Sequence, residues 1–266
     1  GIETTTGPLG QGLGNSVGMA IGEEIFRKKF GSNLINHKTY VIASDGDLME
    51  GISHEAMSLA GHLKLKNLIV FFDNNKISID GSTALSVSDN FKKRFEGYGW
   101  SFQEINGHNE KQISKAISKA SKSKKPSIIS CKTIIGYGSP NKSGKASSHG
   151  SPLGEEEIRL VRKKLKWSSP PFVIPNQILD AWREIGKKGK SIEEKWNGDL
   201  NKKNPKIKSE LESMINHSNL NDLEKIIREE KAKYFTEKPD IKYLYLPSTS
   251  PANMAISFED ICNRWS

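Results

Sequence analysis

Two short apolar runs, each ending abruptly in polar residues, constrain the fold of this chain more than any other feature of its sequence. The first run is Tyr40–Ala43, which ends at Ser44-Asp45-Gly46, and the second is Leu68–Phe72, which ends at Asp73-Asn74-Asn75. Runs of four or five apolar residues bounded by turn residues are typical of buried strands in a parallel sheet. The pattern therefore predicts an α/β domain built on such a sheet.

Apolar residues at helical spacing lie before, between and after these strands, which indicates a strand and helix alternation. Strands that alternate with helices predict a mostly parallel sheet with helices on both faces. Such sheets bind ligands beyond the carboxyl ends of their strands, where the two polar clusters lie. The predicted helical faces are Leu13, Val17, Ile21 and Ile25; Ile52, Ala56, Leu59, Ala60 and Leu63; and Ile113, Ala116, Ile117 and Ala120, the last followed by a further strand at Ile128-Ile129.

The character of the chain changes after about residue 168. Pro170, Pro171 and Pro175 give the following segment the composition of a linker. Residues 176–240 are highly charged with modest helical patterning, so they predict a charged helical extension. Residues 241–266 are irregular. The predicted organisation is a domain at 1–168, a linker and helical extension at 169–240, and a tail at 241–266.

Composition bears on the partners and the compartment. The 266-residue chain has a net charge of +9, but its 40 basic and 31 acidic residues are interleaved along both halves, which is typical of a solvated surface. We therefore expect no nucleic-acid partner. No apolar run reaches the roughly 18 residues of a membrane span, so no membrane contact is expected. Two cysteines make a disulfide framework unexpected, and a reducing cytoplasm fits them best.

The two polar clusters together predict a metal site. Asp45 in an Asp-Gly turn, taken alone, favours a simple turn in which Asp45 caps the next segment. Asn74-Asn75 changes this interpretation, because it follows the neighbouring strand and would place Asn75 beside Asp45 at one sheet edge. A carboxylate and an amide oxygen are ligands that Mg²⁺ accepts when it bridges a diphosphate. The carbonyl of Ile77 is a candidate third ligand.

Five segments, in this order, resemble the transketolase family. The spacing of Asp45-Gly46 to Asn74-Asn75 resembles the thiamine diphosphate fingerprint, with Ser44 in place of its first glycine. The likeness covers residues 1–175 strongly and continues weakly to about 240. The five segments are Thr4–Gly12, Asp45–Glu55, Ser78–Gly81, Gly136–Lys142 and His149–Gly154.

The resemblance implies a thiamine-diphosphate-binding fold and roles for particular residues. Asp45, Asn75 and the Ile77 carbonyl match ligands of Mg²⁺, or of Ca²⁺ or Mn²⁺. Asn75 therefore also counts among the cofactor-binding residues. Gly46 matches the residue whose backbone meets the diphosphate.

Further residues are implied by the same resemblance. Gly7, Pro8 and Leu9 match a segment along the thiazolium and aminopyrimidine side of the cofactor. Glu50 matches an acidic residue near the subunit interface and is counted with the cofactor site. His149 matches a histidine that contacts both the diphosphate and the substrate, and it is the catalytic candidate.

For the activity, the resemblance implies transfer of a two-carbon ketol unit from a ketose phosphate to an aldose phosphate, as in the pentose phosphate pathway and the Calvin cycle. It also implies a homodimer in the full-length enzyme. The family's activating glutamate belongs to a second domain, and two further histidines belong to an N-terminal stretch. Neither is found in this sequence, so we expect an incomplete chain that is inactive alone.

Three alternatives remain open at this point. One is a natural subunit of a two-chain transketolase. Another is a different thiamine diphosphate enzyme: the Ser-Pro-Asn-Lys and His-Gly-Ser-Pro-Leu-Gly segments favour transketolase over the 2-oxo acid dehydrogenases, whereas dihydroxyacetone synthase is harder to separate. The last is a non-catalytic basic module that binds RNA, which predicts salt-sensitive affinity for nucleic acid.

Overall fold

A four-stranded parallel sheet forms the centre of the structure, a computed structural model that describes residues 2–216. Its strand order is β1-β2-β6-β5, so the last of these strands in the sequence lies between two earlier ones. A two-stranded antiparallel hairpin follows β2. The strands are β1 (Thr39–Ser44), β2 (Leu68–Asn74), β3 (Ile77–Ser78), β4 (Gly81–Ser82), β5 (Ser101–Asn106) and β6 (Ser127–Lys132).

Helices connect the parallel strands, as the alternation in the sequence predicts. Short 3₁₀ turns lie at Thr83–Leu85 and Ala146–Ser148. Within residues 2–216, no helix combines the length and apolarity that a membrane span requires. The helices are α1 (Gln11–Phe30), α2 (Asp45–Met49), α3 (Gly51–His62), α4 (Phe91–Gly97), α5 (Glu110–Ser121), α6 (Glu155–Lys164), α7 (Asn176–Asn201) and α8 (Pro205–Ile215).

The core has two layers, one on each face of the sheet. Successive residues of β2 point to opposite faces, so Val70 and Phe72 join one layer and Ile69 joins the other. The first layer contains α1, α3 and α4, and the second contains α5, which packs Ala116 and Ala120 on the sheet. The predicted fold class, a parallel sheet with helices on both faces, is therefore confirmed.

The prediction of a fully buried first strand is wrong for one of its faces. In β1 the side chains of Tyr40 and Ile42 are 53% and 84% exposed, whereas Ala43 is buried. The reason is topological, because β1 is an edge strand of the described sheet. On this face, α5 packs on the two central strands, at Ile69 of β2 and Ile129 of β6, and does not reach β1. A continuous apolar run does not reveal which face is covered.

The predicted buried face of α3 is also wrong in part. Ile52, Leu59 and Leu63 are between 44% and 49% exposed, and the helix buries a stripe of smaller residues instead. Close packing explains this stripe, because a Cβ atom on Gly61 would lie 1.8 Å from the carbonyl oxygen of Tyr98. The buried residues of α3 are Ser53, Ala56, Met57, Ala60 and Gly61.

The charged helical extension is confirmed as far as it is described. The helix α7 spans 26 residues, and α8 follows after a short turn. The Trp196 indole N–H donates a hydrogen bond to the carbonyl of Leu34 at 2.9 Å, which fixes the C-terminal half of α7. The chain divides into two compact units after Ile207, and the boundary predicted near residue 168 stays a prediction. The predicted tail at 241–266 lies outside the described residues.

Candidate cofactor site at the edge of the sheet

Asp45 and Asn75 lie at the ends of neighbouring strands. β1 and β2 pair in parallel with Ser44 opposite Asp73, so the turns that follow both strands meet at one edge of the sheet. Asp45 is the first residue of α2 and is only 3% exposed. Its Oδ2 atom accepts a hydrogen bond from the backbone N–H of Lys76, at 3.3 Å. The sequence prediction that these two turns are adjacent is therefore confirmed.

Burial dominates the electrostatics of the Asp45 carboxyl group, and the nearby Lys76 charge offsets the effect only in part. The pKa of this group is raised from the ordinary 3.8 to about 6, chiefly by burial and to a smaller extent by the nearby Asp73 charge. Hydrogen bonds from the backbone N–H groups of Lys76 and Asn75 oppose this shift but do not cancel it. Burial disfavours the charged form of such a carboxyl group, so a cation that reaches it stabilises the carboxylate.

The turn after β2 is held by its own side chains. Asn75 Oδ1 accepts a hydrogen bond from the Ile77 N–H at 2.9 Å, and Asn75 Nδ2 donates to Asp73 Oδ2 at 3.2 Å. The other oxygen of Asp73 accepts a hydrogen bond from the hydroxyl of Thr133. Lys76 has a φ of 60°, a left-handed conformation that few residues other than glycine adopt. The turn therefore has one tightly defined shape.

The residues at this edge fit a divalent metal that shares its ligands with a diphosphate. They offer one carboxylate, one side-chain amide oxygen that retains a lone pair, and backbone carbonyls at the start of the β3–β4 hairpin. Mg²⁺ is commonly bound through one or two carboxylates, with phosphates and water as its remaining ligands. Within residues 2–216, no cluster of three or more His, Cys, Asp or Glu side chains could hold an ion.

The loop formed by residues 7–10, hereafter loop 7–10, packs against the turn that carries Asp45. Leu9 lies over Gly46, and a Cβ atom on Gly46 would be 3.2 Å from Leu9 Cδ1. Gly10 has a φ of 78° and approaches α3 so closely that a Cβ atom there would be 2.7 Å from Ile52 Cγ2. The structure thus brings the predicted residues Leu9 and Gly46 together, and Gly7 and Pro8 precede them in the same loop.

Asp47 is a residue of this site that the sequence analysis missed. Asp47 Oδ1 accepts a hydrogen bond from Gly10 N–H at 3.0 Å, and Oδ2 accepts from both the N–H and the hydroxyl of Ser44 at 2.8 Å. The available signal was the Ser-x-x-Asp spacing of a capping box, in which the acidic side chain reaches back to the N-cap.

Ser44, which departs from the family fingerprint, is accommodated without strain. Its φ of −106° and ψ of 177° are extended values that any residue adopts. Its hydroxyl adds a hydrogen bond to Asp47 that a glycine could not make. The replacement therefore leaves the turn intact.

Glu50 and His149 are both exposed. Glu50 is the N-cap of α3 and lies against Gly10, where a Cβ atom would be 3.0 Å from that of Glu50. His149 ends the 3₁₀ turn after residue 148, and its backbone N–H donates to the Ala146 carbonyl. Among residues 2–216, no hydrogen bond or ion pair joins the His149 ring to Asp45 or Asn75. The structure therefore brings Glu50 against loop 7–10, and the place of His149 in the site stays a prediction.

The segment that leads from β6 to His149 is anchored at two points. His108 Nε2 accepts a hydrogen bond from Ile134 N–H at 3.1 Å, and its ring stacks on Tyr137 with centroids 4.0 Å apart. Farther along, the buried Glu157 carboxylate accepts hydrogen bonds from the Ser139 hydroxyl and from the backbone and side-chain N–H groups of Asn141. These hydrogen bonds, with that from the Ser139 hydroxyl as the largest cause, lower the pKa of Glu157 from 4.5 to about 2.

A cleft of about 700 Å³ opens beside Asp45. Asp45 is the one predicted site residue in its lining. Its walls come from the ends of the strands and from the segment that follows the β3–β4 hairpin, and they include Asn74, Lys76, Thr83, Phe91, Glu104 and Ser130. The cleft gives a ligand of the size of a phosphate ester access to the buried carboxylate.

Comparison with known proteins identifies relatives over most of the chain. The family described as "Transketolase, thiamine diphosphate binding domain" matches residues 1–220. A transketolase of Buchnera aphidicola subsp. Acyrthosiphon pisum is 55% identical over 202 residues, and "Transketolase 2" of Escherichia coli is 52% identical over 202 residues. Each alignment covers 74% of this chain and 30% of the relative, so the chain spans about a third of the length of these proteins.

Solved structures agree with these sequence relatives. The crystal structure of transketolase from Campylobacter jejuni superimposes with a TM-score of 0.78 at 42% identity, over 81% of this chain and 34% of that one. Transketolase from Leishmania mexicana gives a TM-score of 0.77 at 36% identity, over 80% and 33% of the two chains. The fold described above is therefore shared with these structures.

Proposed function

This chain belongs to the transketolase family, and from that premise we propose that it forms the diphosphate- and metal-binding part of a thiamine diphosphate site. The observation that carries this proposal is the buried Asp45 carboxylate at the end of β1, held beside the Asn75 turn at the end of β2. Burial raises the pKa of this carboxyl group to about 6, and buried groups with shifted pKa values in a cleft are candidates for functional sites.

In the proposed site, each residue near the sheet edge has a distinct task. Asp45, Asn75 and the carbonyl of Ile77 hold Mg²⁺, although Ca²⁺ or Mn²⁺ has the same preference for oxygen ligands. Gly46 presents backbone to the diphosphate, since its lack of a side chain leaves room under Leu9. The wall along the rings of the cofactor consists of Gly7, Pro8 and Leu9. Glu50 lies against Gly10, at the C-terminal end of loop 7–10.

Thiamine diphosphate, when bound, would supply the chemistry, because it can stabilise the negative charge left on a carbonyl carbon when the bond from that carbon to its neighbour is cleaved. The chain's own contribution is to position: Asp45, Asn75 and the Ile77 carbonyl would hold the cation that offsets the diphosphate charge, and loop 7–10 would orient the rings. His149 is the candidate catalytic residue. We place it at the diphosphate and the substrate on the strength of the His149–Gly154 segment, while the structure leaves its ring exposed.

The reaction, substrates and assembly follow from the family and are proposed for the complete enzyme. We infer transfer of a two-carbon ketol unit between sugar phosphates, in a homodimer in which a second domain completes the site. A cytoplasmic location is consistent with the free thiol of Cys131. The related structures include complexes of the Pichia stipitis enzyme with xylulose, fructose and sedoheptulose phosphates. These ligands are all ketose phosphates, which is the substrate class that we propose here.

Thermal unfolding of the chain with and without thiamine diphosphate and Mg²⁺ tests the proposal. A ligand that binds only the folded state raises the melting temperature by mass action. We expect a rise in the parent chain and none in Asp45→Ala, which lacks the central metal ligand. The matched control is Asp180→Ala, which removes an exposed carboxylate from α7 and should respond as the parent does.

If the parent shows no rise, the measurement is repeated with a pyrimidine-binding domain of a relative added in trans, because the family site lies between two domains. Absence of a response under both conditions, or an undiminished response in Asp45→Ala, contradicts the cofactor assignment.

A further inference from the structure

The Asp47 side chain lies where three pieces of the candidate site meet. Its two carboxylate oxygens accept three hydrogen bonds, from Gly10 N–H in loop 7–10 and from the N–H and hydroxyl of Ser44 at the end of β1. Its backbone carbonyl accepts a fourth, from the Ser53 hydroxyl of α3 at 2.5 Å. One residue thus connects segments that lie 37 positions apart in the sequence.

The bond to Gly10 is the informative one. Among the described residues, it is the hydrogen bond that crosses from loop 7–10 to the turn at 44–47. Its acceptor is a carboxylate, so it belongs to the stronger, charge-assisted class. Gly10 also needs its left-handed φ of 78° and the absence of a Cβ atom to come this close to Glu50, Ile52 and Ser53. The sequence around both partners is therefore suited to this contact.

The two connected segments hold different parts of the proposed ligand. The turn at 44–46 contributes Asp45 and Gly46 to the metal and diphosphate, whereas loop 7–10 forms the wall along the rings of the cofactor. We infer that Asp47 is a positioning residue, which joins the two walls of the thiamine diphosphate site into one rigid unit before the cofactor binds. This inference rests on the proposed function of the site.

A capping role alone predicts something different. If Asp47 only stabilised α2, its loss would weaken binding of every ligand of the turn to the same extent. A positioning role concerns loop 7–10, so it affects a ligand with rings and spares a ligand without them. A binding surface that is already ordered binds its ligand more tightly, because it loses less conformational entropy when the ligand binds.

Calorimetric titration of the 266-residue chain with two ligands separates these roles. Thiamine diphosphate and inorganic pyrophosphate, each with Mg²⁺, share the metal and diphosphate contacts, but only the first reaches loop 7–10. For Asp47→Ala we expect the Kd of thiamine diphosphate to rise about tenfold, since the loss of the charge-assisted hydrogen bond to Gly10 frees loop 7–10. The Kd of pyrophosphate should stay within about twofold of the parent value.

Two further variants complete the design. Asp47→Asn retains an acceptor oxygen, so it should bind thiamine diphosphate more tightly than Asp47→Ala does. Asp180→Ala, on the remote helix α7, should leave both dissociation constants unchanged. Hydrogen exchange of the Gly10 amide gives a ligand-free check, because its protection should fall in Asp47→Ala and persist in Asp180→Ala.

Equal increases in both dissociation constants, or a Gly10 amide whose protection does not depend on Asp47, would overturn the positioning role while the proposed function stands. A parent chain that binds neither ligand, alone or with a pyrimidine-binding domain added, removes the proposed function and this inference together.

Discussion

At the residue scale, the pKa values of two buried carboxyl groups, Asp45 and Glu157, are shifted in opposite directions. Asp45 is buried with two backbone donors and its pKa is raised to about 6, whereas Glu157 is buried among side-chain and backbone donors and its pKa is lowered to about 2. For Asp45 the loss of hydration is the largest effect on the pKa, whereas for Glu157 the hydrogen bonds outweigh it. The hydrogen bonds around Glu157 thus favour its charged form, whereas those around Asp45 do not outweigh the effect of burial.

Glu157→Gln should destabilise the chain at pH 7. The folded-state pKa of Glu157 is lowered, so the carboxylate stabilises the fold fully above about pH 4.5, and this contribution is lost as the pH falls toward 2. The melting temperature of the variant, followed by circular dichroism from pH 7 to pH 3, should lie below that of the parent, and the gap should narrow below pH 4.5. Glu155→Gln, in the same helical turn but exposed, is the control. A gap that is constant with pH would contradict this assignment.

Asp45→Asn should stabilise the ligand-free chain at pH 7.5. Folding raises the pKa of Asp45, so the protonated form favours the fold, and that contribution is lost as the pH rises through about 6. A neutral amide avoids the cost of burying a charge, and its oxygen can still accept the hydrogen bond from Lys76 N–H. We expect a gain on the order of 1 kcal/mol, discounted for solvent access, in urea unfolding without metal. A loss of stability would indicate that Asp45 serves the fold rather than a ligand.

At the scale of single elements, small residues decide how α3 packs. Apolar periodicity places Ile52, Leu59 and Leu63 on the buried face together with two alanines, yet the helix buries only the alanines of that set and turns Met57, a serine and a glycine inward with them. Large side chains would separate α3 from α1 and from the turn after α4. The sequence signal misleads here because hydrophobicity rises with side-chain size, whereas close packing of backbones requires the opposite.

Gly61→Ala tests this packing directly. The new methyl group would lie 1.8 Å from the Tyr98 carbonyl and 3.1 Å from the Trp100 ring, and the first partner is backbone that cannot rotate away. We expect a loss of about 3 kcal/mol or more in chemical denaturation.

Gly22→Ala is the matched control, because the same substitution in α1 meets nothing within 4 Å. It should raise stability by about 0.5–1 kcal/mol through helix propensity. If both substitutions had the same effect, the close contact between Gly61 and Tyr98 would not exist in solution.

At the scale of the whole molecule, the sequence predicted the layers and the adjacency of Asp45 and Asn75, since both follow from strand and turn patterns along the chain. It did not predict the Asp47 contact, which depends on a partner 37 residues away, nor that half of β1 would be exposed. Coverage of a sheet is a property of the assembled fold, and an apolar run has the same composition whether or not a helix packs on it.

The exposed face of β1 gives a prediction with an internal control. Ile42 is 84% exposed and Ile69, on the neighbouring strand, is fully buried. Ile42→Thr should change the free energy of unfolding of this chain by no more than about 0.5 kcal/mol, since threonine also favours strands. Ile69→Thr should cost about 3 kcal/mol, because it leaves a void and buries a hydroxyl. A comparable cost at both positions would show that β1 is covered in solution.

The strand order also has a consequence for synthesis on the ribosome. β5 is made before β6, but in the described sheet its partner is β6, which inserts between β5 and β2. While the chain emerges, β1 and β2 can pair early, whereas β5 must wait with an open edge until residues 127–132 arrive. Unpaired edges invite pairing with other chains. A translational pause that leaves β5 outside the ribosome while β6 is still inside it is therefore expected to increase aggregation of the nascent chain, and a pause after β6 has emerged is not.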